Sequence, residues 1–366
     1  MRRYLIGLVC VSLLVAGLPA GVAGQSSGTA NGSAYAGANI SFEANESAVM
    51  AYEVNNEPVL SSVRVQSQSS VESDADGSLG AAVDGSGLSI QSRTSVSATV
   101  GSEGSASMTA HDNEHGVLLV RAGENSQYVT ANLSAGASTE RESDKQVSVM
   151  TANGTEGTFI VIGEGNVDVS EEGNVSAELG SESRLTFRTY PDGKEDSDER
   201  SEAMIQNGTV TAELHAMERD GETVFDTVSY AGNTTVTASE RTENGVNATV
   251  ERSTDAGTVV ITSVSEAAVG SLSELEVTVD GEAAAEASSA SELRSAIGGD
   301  SSRYMVASEG SADARADVLV AVNHFSERDI SVQGESEGST SGGTPGFGVP
   351  VTLAALAVAL IVGRRR

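Results

Sequence analysis

Period-two alternation of apolar and polar residues runs through most of this chain, and segments with helical periodicity are nearly absent. Leu88, Ile90, Thr94, Val96, Ala98 and Val100 alternate with Ser89, Gln91, Arg93, Ser95, Ser97 and Thr99. Read as one run, this predicts a single strand about 40 Å long with a buried and a wet face. Val210, Ala212, Leu214 and Ala216 alternate with Thr209, Thr211, Glu213 and His215, and Leu185, Phe187 and Thr189 with Arg184, Thr186 and Arg188. Val59, Val63 and Val65 share one parity, opposite Leu60, Ser62, Arg64 and Gln66. The expected fold is all-β: long, mainly antiparallel strands in layered, sandwich-like sheets.

Three segments depart from alternation in the same way. Gly116, Gly157 and Gly257 are each followed by an apolar tetrad, VLLV, TFIV and TVVI, which fits a strand covered on both sides. The glycines are unevenly spaced, so these are degenerate copies without the fixed period of a solenoid. One helix is expected near 289–297: Ser289 and Glu292 form a capping-box pattern, Leu293, Ala296 and Ile297 a short apolar stripe, and Gly298-Gly299 a stop. Strands at 275–279 and 317–322 would make residues 270–332 a small β-α-β segment after a β-rich ectodomain at 48–269.

Charge sets the solvent. The chain carries 52 acidic and 21 basic residues, and only Lys145 and Lys194 are lysines. At low ionic strength such like charge pushes a compact state apart, whereas in molar salt the Debye length is about 3 Å and the repulsion is screened. The acids are dispersed between apolar residues rather than blocked, which favours a folded acidic surface in brine. Nucleic acid and anionic membrane surfaces are poor partners for it. There is no tryptophan and the apolar content is mainly Ala and Val, so the core is built from small side chains. The only cysteine, Cys10, excludes disulfide staples and thiol catalysis from the body of the chain.

Both ends carry address signals. Arg2 and Arg3, the apolar run from Tyr4 to Leu18 and the small residues up to Gly24 predict a secretory signal peptide over 1–24, cut after Ala23 or Gly24. Residues 25–47 are Ser, Gly, Ala and Asn rich and read as a flexible, sugar-bearing lead-in; 333–344 read as a flexible spacer spanning roughly 20 Å. At the far end stand Pro345, Gly346 and Phe347, an uncharged apolar stretch long enough to span a bilayer, and Arg364, Arg365 and Arg366. This arrangement over 345–366 resembles the PGF-CTERM sorting signal of archaeal surface proteins. The resemblance implies removal of the tail by an archaeosortase and attachment of a prenyl-type lipid near the new C-terminus. It says nothing of the fold before it.

Nine N-x-Ser/Thr sequons are candidate glycosylation sites: Asn31, Asn39, Asn45, Asn132, Asn153, Asn174, Asn207, Asn233 and Asn247. Catalytic and metal signals are weak beside them. His111 and His115 would serve one metal on a helix, but on extended backbone they stand about 13 Å apart. His215, on the polar parity of its strand, and His324 read as surface histidines. Glu72, Asp74, Asp76 and Gly77 imitate the start of a calcium loop, yet Val83 stands where a chelating acid is needed. The acids from Asp192 to Glu199 read as a solvated loop, and no nucleophile elbow marks a serine hydrolase. No cofactor is called for. The expectation is an exported, membrane-anchored cell-surface glycoprotein, non-enzymatic, with an envelope or surface-contact role. Its partners would be the membrane, signal peptidase, the archaeosortase and components of the cell envelope. The alternative is a binding module that takes a small ligand or cation through its acidic loops.

Overall fold

A computed structural model describes residues 33–334 apart from 46–47, 69–88, 102–105, 243, 273–274, 311–314 and 325–326. The segment read as a signal peptide, most of the one read as a spacer, Asn31, the acidic segment at 72–83 and the tail with Pro345, Gly346 and Phe347 lie outside the described residues. Among the described residues no helix is long and apolar enough to cross a membrane.

The fold is all-β, with sheets of seven, eight, six and five strands. Three buried clusters fill the spaces between them. Tyr35, Phe42, Tyr52, Phe159, Phe187 and their neighbours join the seven-stranded sheet to the eight-stranded one. Leu214, Val260, Val318, Val250 and Val332 join the six-stranded sheet to the five-stranded one. Val117, Leu119, Ile160, Val259, Ile261 and Leu319 join the two inner sheets. The chain therefore makes two sandwiches in succession and docks them face to face along a seam.

The inner sheets set the seam's geometry. In the eight-stranded sheet Arg184–Tyr190 lies between Glu156–Ile162 and Leu118–Arg121, and Leu118–Arg121 pairs onward with Ser107–His111. In the six-stranded sheet Val210–Arg219 runs parallel to Ala256–Ser265, which pairs antiparallel with Arg315–His324. The three apolar tetrads lie in these sheets, covered on both faces as expected. Leu118, Val120, Phe159, Val161 and Val260 turn into sandwich cores, while Val117, Leu119, Ile160, Val259 and Ile261 turn into the seam. Each such side chain contributes roughly 1.5–3 kcal/mol by leaving water.

Five expectations are corrected. The run from Leu88 to Val100 is not one strand but a hairpin, Ser89–Arg93 against Ser97–Gly101. Thr94 turns the chain: its Oγ1 accepts the N–H groups of Val96 at 3.2 Å and Ser97 at 2.9 Å, while its own N–H donates to Ser97 O at 2.8 Å. Ile90 pairs with Val100 across the hairpin, so the alternation persists through the reversal and gives no warning of it.

Residues 33–45, within the segment read as a flexible lead-in, are also structured. Ser33–Ala36 and Ile40–Ala44 pair as outer strands of the seven-stranded sheet, held by a stack in which Tyr35 lies 5.6 Å from Phe42 and Phe42 lies 6.1 Å from Tyr52. Residues 270–332 are not a separate unit: Leu275–Val279 belongs to the five-stranded sheet and Arg315–His324 to the six-stranded one. Gln333 and Gly334, placed in the spacer by sequence, close the last strand, Glu327–Gly334.

The fifth correction is a helix, Asp196–Gln206, in the acidic run read as a loop. Glu195 and Asp198 form its capping box, and Asp196, Asp198 and Glu199 favour its positive N-terminal end. Met204 and Ile205 anchor it in the seam. The short helix Ala290–Ser295 stands where expected, with Ser289 Oγ accepting the Glu292 N–H at 3.2 Å and Leu293 and Ala296 buried in the seam.

Candidate functional site: a charged seam and its cavities

The site grows from the turn that follows the strand Ser107–His111. Asp112 is fully buried and its carboxylate gathers the backbone N–H groups of Ala38 at 2.8 Å, Asn39 at 2.6 Å and Ile40 at 3.0 Å. Arg219 reaches the same carboxylate from the second sandwich at 2.9 Å. Gly116 completes the turn at φ +48°, where a Cβ would lie 2.6 Å from a methyl of Val54, so the left-handed conformation and the close packing both call for glycine. Tyr52 donates its hydroxyl to Gly116 O at 3.0 Å. Asn113, Glu114 and His115 are thereby held at one end of the seam.

Facing them is the strand Val210–Arg219, whose polar parity is buried. His215 is 1% exposed. Its Nδ1 stands 2.9 Å from Glu114 and its Nε2 3.3 Å from Glu213. Because carboxylates only accept, both ring nitrogens must donate, and the imidazole is an imidazolium. Burial opposes that charge, but Glu114 and Glu213 overcome it and hold His215 well above the usual histidine value. Burial likewise opposes ionisation of Glu213, yet Arg188 and His215 keep it well below the usual carboxylate range. Glu114 is held down in the same way, chiefly by His215. Arg188 pairs with Glu213 and donates to Tyr230 Oη at 2.8 Å.

Further along, Asp226 receives His111 Nδ1 at 2.9 Å and Asn113 Nδ2 at 2.9 Å. Arg315 stands 3.5 Å from Glu114. Each of these pairs joins a residue before 190 to one after 210, so the contacts cross the seam and fix the register of one sandwich on the other.

Two cavities open at this end. The first, about 240 Å³, is lined by Glu114, His115, Tyr190, Asp198, Arg315 and Asp317 among others. His115 donates Nδ1–H to Thr189 O at 3.1 Å. Burial, helped by the nearby Arg188 charge, lowers its pKa, so the ring is neutral and Nε2 keeps a bare lone pair. Asp317 accepts a hydrogen bond from Ser263, and burial raises its pKa despite that bond. Burial also raises that of Asp198, against the effect of the Glu195 N–H. Among the described residues neither Asp198 nor Asp317 has an ion-pair partner. The second cavity, about 770 Å³, shares Asn39, Glu114 and Arg315 with the first and adds Met217, Arg219 and Glu266.

Among the described residues no three His, Asp, Glu or Cys side chains are placed to hold one metal ion. His111 and His115 point to separate partners, Asp226 and Thr189. His215, read from sequence as a surface residue, is instead the centre of the ionic network, whereas His324 is exposed. Of the sequons, Asn153 and Asn207 stand exposed beside turns, while Asn39, Asn45, Asn132, Asn174, Asn233 and Asn247 are half-buried. Asn132 Nδ2 donates to Ser62 at 2.9 Å and Asn174 Oδ1 accepts from Leu133 N at 3.3 Å. Arg188, Glu213, Glu114 and Asp317 carried no motif. The available signal was charge of opposite sign on two strands: Arg184 and Arg188 on one, Glu213 with His215 on another.

The chain matches no protein-family model and no curated protein.

Proposed function

We propose that this chain is an exported, membrane-tethered glycoprotein of a halophile's surface, non-enzymatic, with a role in the envelope or in contacts at the cell surface. The observation that carries the reading is an acidic all-β body flanked by a basic-apolar leader and by the tail Pro345-Gly346-Phe347 with its apolar run and three arginines. The surface of that body supports it: Met150, 40% exposed, is the one large hydrophobic exposed among the described residues, and the charge is arranged for brine. Gly334 packs so closely that a Cβ there would lie 2.2 Å from Ser271 O, beside Gly270 on the wall of the larger cavity. The described strand therefore ends near the wall of the larger cavity.

Mass spectrometry of the native protein from its membrane tests this. The expected chain lacks 1–24 and everything after Pro345, carries a lipid near its new end and bears glycans at Asn153 and Asn207. Recovery of peptides from 349–364 in the membrane fraction would reduce the sorting signal to a plain span, and an uncut leader would overturn export.

A second reading is favoured by the cavity at His115, Asp198 and Asp317. A concave site with perturbed titratable groups at the junction of two sandwiches is where a ligand-binding module keeps its ligand.

A further inference from the structure

We propose that the 240 Å³ cavity binds a small organic cation through a primary ammonium group. The proposal rests on the binding-module reading and gives it a ligand class. Three features of the lining lead to it.

The first is the kind of polar atom the cavity presents. His115, with Nδ1–H committed to Thr189 O, retains only an acceptor at Nε2. Asp317 and Asp198 are acceptors with no ion-pair partner among the described residues, and Glu114 Oε2 has no hydrogen-bond donor, only the Arg315 guanidinium at 3.5 Å. An –NH₃⁺ group brings three donors and no acceptor, the complement of such a lining.

The second is charge. Five carboxylates, Glu114, Asp192, Glu195, Asp198 and Asp317, line the cavity with one guanidinium, Arg315, and that guanidinium is engaged by Glu114 and lies 4.0 Å from Asp192. His215 neutralises Glu114 from behind. The surplus negative charge falls on exposed Glu195 and on Asp198 and Asp317, the latter two half-buried where water cannot fully solvate them. An anion is repelled here, and a neutral ligand leaves the carboxylates uncompensated.

The third is shape. The ligating atoms are spread around a cavity of molecular size rather than around a point, and no three carboxylates or imidazoles converge on one ion position among the described residues. A bare metal ion needs that convergence; an ammonium at the end of a carbon chain does not. Tyr190 and Pro191 offer the chain apolar surface, and exposed Asp192 and Glu195 form a negative rim that draws cations in.

Calorimetric titration of the full chain, folded in molar KCl at neutral pH, tests the proposal, with putrescine, calcium chloride and butyrate as separate probes. Putrescine is expected to bind. Asp317→Asn and Asp198→Asn, each checked for an unchanged circular dichroism spectrum, are expected to weaken it at least about 10-fold, as the loss of one charge-assisted bond does. Glu171→Gln, on an exposed turn outside the cavity, is expected to leave the affinity unchanged. Should one aspartate variant fail to fold, the other carries the test. Putrescine binding that survives both aspartate substitutions, or that falls equally in Glu171→Gln, would be diffuse attraction to an acidic surface and would overturn the proposal. Calcium or butyrate binding without putrescine binding would overturn the ammonium class while leaving a binding module. Silence from all three probes would remove both.

Discussion

The two sandwich cores and the seam between them bury comparable strands with opposite chemistry. The cores are filled mainly by apolar side chains: Phe159 and Phe187 meet with ring centroids 4.5 Å apart, and Val250, Val318 and Val332 fill the second core. The seam divides lengthwise. At one end Ile160, Ile162, Val259, Ile261 and Leu319, with Ile205 and Leu293 from the helices, make a third apolar cluster. At the other end stand Arg188, Glu213, His215, Glu114, Arg219 and Asp112. An apolar interface holds but does not specify alignment, because one aliphatic contact exchanges for another at little cost. A bonded charge network tolerates no slippage, since a shifted register strands each ion in low dielectric. The apolar end supplies adhesion and the ionic end supplies register.

The largest expected effect separates these roles. Glu213→Ala leaves Arg188 and His215 buried without their shared carboxylate, and should cost about 3–5 kcal/mol, measured by urea unfolding in molar KCl. Leu319→Ala at the apolar end should cost about 2–5 kcal/mol through its cavity. The discriminating variant is the double replacement Arg188→Met with Glu213→Leu, expected within about 1 kcal/mol of the parent or more stable. If Glu213→Ala cost less than about 1 kcal/mol, the network would be hydrated and the division of the seam would fail.

That contrast also explains what the sequence disclosed. Period-two patterning reports which residues cannot face water, and it located both cores: Leu185 and Phe187, Leu214 and Ala216, and the three tetrads all lie as their pattern required. It reads every polar residue as wet. On Arg184–Tyr190 and Val210–Arg219 that inference fails, because the polar face of one strand is docked on the polar face of another and all seven residues of the first are buried. No local signal separates Glu213 facing water from Glu213 facing Arg188; the difference is a contact between residues 25 positions apart. The helix Asp196–Gln206 escaped for a related reason. Its acids serve its own N-terminus, and its apolar stripe is reduced to Met204 and Ile205.

A smaller effect follows from proton linkage and belongs to the ionic end alone. Glu114 and Glu213 are held below the usual carboxylate range, so their stabilisation is present above their unfolded pKa of about 4.3 and is lost as pH falls through their folded values. His215 is raised; its stabilisation is complete below the unfolded value of about 6.5 and is lost as pH rises towards the folded one. His115 is lowered and acts in the other sense, weakening the fold as pH drops below about 6.5. Stability should therefore peak near pH 6.5 and decline on the alkaline side by about 1.4 kcal/mol per unit for the single His215 proton. Melting curves across pH in molar KCl read this directly. His215→Gln should flatten the alkaline limb, whereas Phe159→Leu, in a core, should lower the whole curve without changing its slope. An alkaline limb unchanged in His215→Gln would show that the imidazole is not charged in the folded protein.

The smallest effect concerns the hairpin that rims the ionic end, where Arg219 donates to Ser95 O at 2.9 Å. The Thr94 side chain serves it through the hydroxyl that accepts two backbone N–H groups. Thr94→Val keeps the shape and the β-branch and removes the acceptor. In an uninterrupted strand that change would be neutral or favourable, because valine suits strands at least as well as threonine. In a turn it should cost about 0.5–1.5 kcal/mol, and Gln91→Asp, exposed on the adjoining strand, should stay within about 0.5 kcal/mol. The sign of the Thr94→Val change thus decides between reversal and extension. A destabilised Thr94→Val also predicts a loosened Arg219, because Ser95 O is placed by the same turn. Faster amide exchange at Ala38 and Asn39, which share Asp112 with Arg219, would trace the disturbance from the rim into the network, and exchange unchanged at both would confine the role of Thr94 to the hairpin itself.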